Sequence, residues 1–337
     1  MSRKRLPLGA LAQLGERLIC IQEVRSSILL GSTINSLVSS TSKGLEESMK
    51  ICAITMVYRD YWALSQWYAH YSRHLGSEHL YIVAHGYDTK IAELCPRANV
   101  ITVPRDDLSG FDRIRGHLLN GLQDGLGAVY DWVIRTDADE LICIDPERFV
   151  DFEALFTAQL KADTLFALGL NLFEGIEDAE LSENTNVFAH RRQAVFSGHY
   201  SKAWAVRRGA HLVRHGVEVA AEHLADAAFT LPKGVYMVHL KYANTAALTE
   251  ANQHRTEIAS GTAKGLPGNI WAKATTDAER FYERMATLPD LEWKRARTKA
   301  YRTINRSPIR DAKLNVLRAK SVNFEYRTQL PDWFKDC

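Results

Sequence analysis

The run from 50 to 57, Lys-Ile-Cys-Ala-Ile-Thr-Met-Val, is apolar at nearly every position and rich in β-favouring side chains. Such a segment has no polar face to offer water. It fits a strand covered on both sides, the condition of a parallel sheet in an α/β fold. The next eighty residues keep to that pattern. Trp62, Trp67, Tyr71 and Leu75 recur near helical spacing, and Gly76 is placed to end the helix. Residues 79–84 predict a second strand, 89–94 a short helix, 99–103 a third strand, 112–123 a helix and 130–136 a fourth strand. This alternation predicts βαβ units and a mostly parallel sheet, joined by right-handed crossovers. Residues 165–173, 203–207 and 235–240 read as further strands in a mixed extension of the sheet. From Asn244 the signal turns helical, with Asn244-Thr245 able to cap a helix over 246–259 and a second helix expected over 276–286.

The chain's 337 residues suffice for one or two domains, and a net charge of +2 gives no global case for nucleic-acid binding. No apolar run reaches the roughly 18–20 residues needed to span a bilayer. Five scattered cysteines, Cys20, Cys52, Cys95, Cys143 and Cys337, contain no C-x-x-C pair and fit reduced thiols in a cytoplasmic protein, with Cys52 and Cys143 in the core. Residues 1–48 differ from the rest. A basic start leads into an apolar stretch broken by Pro7 and Gly9, then into a Ser/Thr/Gly-rich tail. They are expected to be a disordered or artefactual leader, an amphipathic anchor being the alternative. The segment 294–320 is strongly basic, with Asp311 its only acid. It reads as a solvated helical face, or as a contact for an anionic acceptor or for the inner face of a membrane.

The most informative segment is Asp131-Trp-Val-Ile-Arg-Thr-Asp-Ala-Asp-Glu-Leu-Ile142. An apolar strand delivers Asp137, Asp139 and Glu140 at its C-terminal end, where open α/β sheets bind ligands. Two aspartates at i and i+2 of extended backbone project to one side. They can grip one hard divalent cation together with phosphate oxygens. Like charges held so close are costly unless a cation compensates them.

The segment Trp132 to Ile142 resembles the D-x-D-E core of the family 2-like glycosyltransferases with the GT-A fold. Thr55-Met-Val-Tyr-Arg-Asp-Tyr-Trp62, with Trp67-Tyr-Ala-His-Tyr71 and Gly76, is similar to that group's opening strand and helix. Tyr200-Ser-Lys-Ala-Trp-Ala-Val-Arg207 with His215, and Val238-His-Leu-Lys-Tyr242, are similar to its later blocks. Two departures stand out. Tyr58-Arg59-Asp60 replaces the usual lysine-asparagine-glutamate, and His85-Gly86-Tyr87-Asp88 stands where the family has an acidic, serine-rich loop.

The resemblance implies a GT-A-like mixed sheet flanked by helices over 49–243, with a helical, basic C-terminal extension over 244–337. It also implies a nucleotide-sugar donor, a Mn²⁺ or Mg²⁺ ion, a glycan or lipid-linked acceptor and inversion at the anomeric carbon. Val57, Arg59, Asp88, Arg113 and Asp137 are then expected at the donor, with Arg115 an alternative to Arg113. Asp137, Asp139 and His239 are expected at the metal, His215 being a second candidate. Inversion needs a general base. Glu174 is favoured because it follows a buried strand and precedes Gly175; Asp178, Glu218 and Glu222 remain open. Other readings are a nucleotidyltransferase or phosphoesterase using the same carboxylate–metal logic, and a noncatalytic sugar-nucleotide or glycan-binding module. No G-x-S-x-G elbow, phosphate loop or Rossmann glycine fingerprint supports a hydrolase or dinucleotide enzyme.

Overall fold

The computed structural model describes residues 49–337 except 184, 208, 262–265 and 267–268, so the expectation for the leader lies outside the described residues. The chain opens as sequence periodicity predicts. β1 (Ile51–Val57), α1 (Tyr61–Leu75), β2 (Leu80–His85), α2 (Thr89–Leu94), β3 (Asn99–Val103), α3 (Phe111–Leu126) and β4 (Trp132–Arg135) follow one another. The strands lie in the order β3-β2-β1-β4, all parallel. β1 is buried from Cys52 to Val57, in keeping with cover on both faces. Gly76, at φ 88°, ends α1 in a conformation that side chains rarely take.

After a tight turn, β5 (Glu140–Ile144) leaves this sheet for a second one, followed by α4 (Phe152–Ala158). The single strand expected over 165–173 is divided in two. β6 (Thr164–Phe166) joins the first sheet and β7 (Leu168–Phe173) the second. Next come α5 (Val187–His190), β8 (Gln193–Phe196), β9 (Ala203–Val206), β10 (His211–Val213), β11 (Glu218–Ala220) and β12 (Val235–Tyr242). β9 runs antiparallel to β4 and makes the first sheet mixed.

The helices α6 (Thr245–Ala259), α7 (Asn269–Ala272), α8 (Ala274–Thr287) and α9 (Trp293–Arg306) occupy the C-terminal stretch, and Asn244 caps α6 through the N–H groups of Ala246 and Ala247. Beyond Arg306 the helical expectation gives way to β13 (Ile309–Asp311), β14 (Val316–Arg318) and β15 (Thr328–Gln329). β14 pairs with β11 and β15 with β8, so these late strands complete sheets begun earlier in the chain. Too short to read by alternation, they form because an edge awaits them. Ala296, Ala300 and Ile304 bury one stripe of α9, leaving Arg295, Lys299, Arg302 and Arg306 exposed. No helix among the described residues is long and apolar enough to cross a membrane. Cys52, Cys95, Cys143 and Cys337 are buried free thiols, which agrees with the core role expected for Cys52 and Cys143.

Gly169 in β7 is where the second sheet meets the segment leading to β9. A Cβ there would lie 2.1 Å from the carbonyl carbon of Tyr200 and 2.4 Å from the nitrogen of Ser201. These are backbone atoms and cannot swing aside. We therefore expect Gly169→Ala to cost about 3 kcal/mol, the upper part of the overpacking range, read from the urea midpoint. Unchanged stability would show that the two segments can separate freely.

Candidate active site

The carboxylates stand on the turn between β4 and β5. Extended alternation, the geometry expected for them, does not bring them together. Glu140 N–H donates to the Asp137 carbonyl at 3.1 Å, and Asp137 N–H donates to Glu140 Oε2 at 3.1 Å. The turn folds Glu140 back beside the two aspartates. One oxygen from each of Asp137, Asp139 and Glu140 then lies within 4.8 Å of the others, a set able to hold a metal ion.

Helix α1 clamps both flanks of this turn. Trp67 Nε1 donates to Thr136 Oγ1 at 2.9 Å. Tyr71 Oη accepts the Ile142 N–H at 3.2 Å, and His70 Nε2 meets the Ile142 carbonyl at 3.0 Å. The aromatic residues that mark the helix in the sequence therefore hold the carboxylates in place.

Three acids so close require compensation, and the structure supplies it from distant segments. Lys202, 2% exposed, reaches Glu140 Oε1 at 2.6 Å and Asp137 Oδ2 at 3.5 Å. Arg115 Nη2 meets Asp137 Oδ1 at 2.7 Å. His215 bridges Asp137 at 3.3 Å and Asp112 at 3.0 Å. Burial opposes ionisation of Asp137, but Arg115, Lys202 and His215 outweigh it and hold the carboxyl well below the usual range. The shortage of positive charge falls on Glu140. Burial first, then Asp137 and Asp139, push it up to about 7 against the pull of Lys202. Burial also disfavours the Lys202 ammonium, yet Glu140 and Asp137 raise it above its ordinary value.

His239 arrives by strand register, opposite Glu140 on β5 and Asn171 on β7. Its Nδ1 contacts Asn171 Oδ1 at 2.8 Å, and Tyr200 stacks on its ring at 3.7 Å. Burial keeps the imidazole below its ordinary pKa despite Asp139. With Nδ1–H given to Asn171, Nε2 turns its lone pair towards Asp139 Oδ2, 3.2 Å away. Two acceptors facing each other suit a cation shared between them, so the donor set fits a hard or borderline divalent ion.

The turn lines a cavity of about 600 Å³. Val57, Arg59, Asp137, Asp139 and His239, singled out in the sequence, lie on its wall together with Arg115. Arg113, preferred for donor contact, is exposed and lies off this wall, because helical spacing turns position 115 inward instead. Asp88 lines an adjoining cavity of about 250 Å³ that shares Val57, Tyr58, Arg59 and His85 with the larger one. It also caps α2 and accepts the Tyr61 hydroxyl at 2.8 Å.

Glu174 lies off the cavity wall altogether. Its carboxylate takes the Thr245 N–H at 2.9 Å and pairs with buried Arg191 at 3.0 Å, so it caps α6. Asp178 is drawn to the same arginine at 3.8 Å. Glu218 is buried between Arg214 and Arg318, and Glu222 is exposed. In their place the cavity presents Asp60, which burial and then Asp139 push up to about 6. Asp60 occupies the position of the family pattern's glutamate. Arg105, Lys241 and Arg255 also line the cavity and went unrecognised in the sequence. Arg105 stands over the Tyr58 ring at 3.5 Å, and nothing in its local pattern signals this.

No protein-family model and no curated protein matches the chain. Among solved structures it is similar to a 4-diphosphocytidyl-2C-methyl-D-erythritol synthase, at 15% identity over 55% of this chain and 89% of that one, with a TM-score of 0.32. It is also similar to the mannosyltransferase Ktr4p from S. cerevisiae in complex with GDP, at 11% identity over 51% of this chain and 53% of that one, TM-score 0.25. A third is mannose-1-phosphate geranyltransferase from Thermus thermophilus, at 11% identity over 85% of this chain and 77% of that one, TM-score 0.25. At such scores the function has to be read from the site itself.

Lys202→Met should show how far the carboxylates depend on this cation. Glu140 has its folded-state pKa raised, so the stability it contributes is full below its unfolded value near 4.5 and is lost as pH rises through about 7. Removing Lys202 raises Glu140 further and carries that loss to higher pH. The variant should lose about 3–5 kcal/mol at pH 8.5 and less at pH 6, by urea unfolding at both. A pH-independent loss would assign Lys202 to packing alone.

Proposed function

We propose that this chain is a metal-dependent glycosyltransferase that moves a sugar from a nucleotide-sugar donor to a glycan or lipid-linked acceptor with inversion. The observation that carries the reading is the convergence of Asp137, Asp139 and Glu140 with His239 on the wall of a cavity also bearing Arg59, Arg105 and Arg115.

In this reading Asp137, Asp139 and His239 hold Mn²⁺ or Mg²⁺, and Lys202 keeps the unliganded carboxylates together. Bound there, the ion supplies Lewis-acid stabilisation of the negative charge that develops on a departing diphosphate. Arg59 and Arg105, both against the Tyr58 ring, lie beside the smaller cavity that Asp88 lines and serve the nucleoside end. Asp60 replaces Glu174 as the proposed base: it faces the cavity, and a value near 6 suits proton uptake from an acceptor hydroxyl near neutral pH. The exposed cations of α9 support peripheral contact with an anionic membrane as part of the same proposal.

A thermal-shift panel with UDP-, GDP-, CMP- and dTDP-sugars, each with Mn²⁺ and with chelator, tests the assignment. One nucleotide class should stabilise the chain only with metal, by roughly 2.7 kcal/mol at 100 times its dissociation constant. Asp139→Asn should abolish that shift while the fold persists. Undiminished metal-dependent binding by the variant would sink the metal role of Asp139, and release of pyrophosphate from a nucleoside triphosphate would favour nucleotidyl transfer. For the base, Asp60→Asn should lower turnover about 10²–10⁴-fold with donor affinity kept within about threefold. A variant that loses donor affinity instead would place Asp60 at the nucleotide.

A further inference from the structure

Four cations on the cavity wall, Arg59, Arg105, Lys241 and Arg255, have no carboxylate within 4.0 Å among the described residues, whereas Arg115 and Arg214 are each paired with one and Lys202 with two. They fall into two groups. Arg59 and Arg105 flank the Tyr58 ring at 5.2 and 3.5 Å. Arg59 also lines the smaller cavity beside Asp88, which neither Lys241 nor Arg255 touches. Lys241 and Arg255 line a different recess, walled by Asp60, Asp139, Ala251 and Asn244, in which neither Arg59 nor Arg105 takes part. Their contacts in the structure carry no counter-charge: Lys241 lies 5.1 Å from the Tyr242 ring centroid, and Arg255 donates to Asn252 Oδ1 at 2.9 Å.

Half-buried like charges without a counter-ion are costly. Asp139 lines the same recess and Asp277 bears on Lys241 from the wall of the larger cavity; a bound divalent cation would take up the charge of Asp139. A lysine and an arginine would then share one recess with only Asp60 opposite. Over the whole wall Lys and Arg outnumber Asp and Glu by seven to six. A divalent ion and the two negative charges of a nucleoside-diphosphate sugar cancel, so donor loading leaves that excess in place.

We infer that Lys241 and Arg255 form a second anion subsite, distinct from the donor diphosphate site, which binds a phosphate or carboxylate group of the acceptor beside Asp60. The inference rests on the transferase reading for the word acceptor, not for the subsite. The recess itself, about 10 Å³, has room for no more than a water, so the anion sits where Lys241 and Arg255 also line the larger cavity beside Asp60. An arginine fork and an ammonium on that wall match a tetrahedral phosphoryl group or a planar carboxylate. The substrate class this names is an anionic acceptor, such as an acidic sugar or a phosphate-linked one.

Inorganic phosphate titrated calorimetrically into the whole chain with saturating Mg²⁺, which takes up the charge of Asp139, tests the subsite, and the neutral variants separate it from phosphate bound at the metal. Wild type should bind it saturably, and Lys241→Met and Arg255→Gln should each weaken binding at least tenfold. Lys241→Arg, which keeps the charge, should stay within threefold and separates a charge effect from misfolding. Nucleoside diphosphate with Mn²⁺ should bind Lys241→Met and Arg255→Gln within threefold of wild type. Acetate competing with phosphate would identify a carboxylate acceptor, and phosphate binding alone a phosphoryl one. The subsite is overturned if wild type shows no saturable phosphate binding, or if the neutral variants bind phosphate normally. It is also overturned if those variants lose nucleoside diphosphate equally, since the cations would then belong to the donor. Phosphate binding that depends on Lys241 and Arg255 in a chain that binds no nucleotide would keep the subsite and remove the transferase reading.

Discussion

Three carboxylates on one short turn set the central constraint on this structure. Asp137, Asp139 and Glu140 cannot all be ionised in a half-buried setting without positive charge close by. Lys202 provides part of it from within the fold, nearly inaccessible to solvent and in reach of both Glu140 and Asp137, with Arg115 and His215 adding theirs at Asp137. Much of the surrounding architecture serves to make that contact. The bare Cα of Gly169 lets the Tyr200–Ser201 backbone close on β7, and Lys202 follows directly. The third carboxyl, left short of compensation, holds its proton to about pH 7, which leaves the cluster poised to exchange that proton for a metal ion.

The wall of the cavity also carries backbone in a conformation most residues avoid. Arg59 has φ 51°, and Arg214 and His215 have φ 44° and 56°. Left-handed non-glycine residues cost of order 1–3 kcal/mol each. Here all three line the cavity. At Arg59 the resembling family carries asparagine, a residue that tolerates this region well. The chain accepts the strain of an arginine there and gains a guanidinium beside Tyr58. Arg214 and His215 form the turn between β10 and β11, and that bend turns the His215 ring towards Asp112 and Asp137.

Two of the expected site residues, Glu174 and Arg113, lie off the cavity for reasons that their local sequence does not carry. Glu174 looked suited to proton transfer because it ends a buried strand before a glycine, yet that same position is where a helix N-terminus needs an acceptor. Arg113 and Arg115 are equivalent in the sequence, and only the orientation of α3 against the sheet decides which one faces the cavity. Strand and helix positions, by contrast, were largely legible from 51 to 135, because periodicity is a local property that burial imposes on neighbouring residues. The short strands β10, β11 and β13–β15 left no such trace, since two or three residues do not make a pattern.

The sequence by itself determined the alternating α/β framework, the cluster Asp137–Glu140 at a strand end, and the aromatic face of α1. Each is written in residues within a turn or a few turns of one another. Tertiary structure alone decided which charges meet. Trp67 and Thr136 lie 69 positions apart, His239 and Asn171 68, and His215 and Asp112 103. Contacts of that separation depend on strand order and register, and a shift of one residue in β12 would turn His239 to the other face of the sheet. The identity of the acids is therefore a fact of the sequence, whereas their ionisation, their partners and the cavity they share belong to the fold.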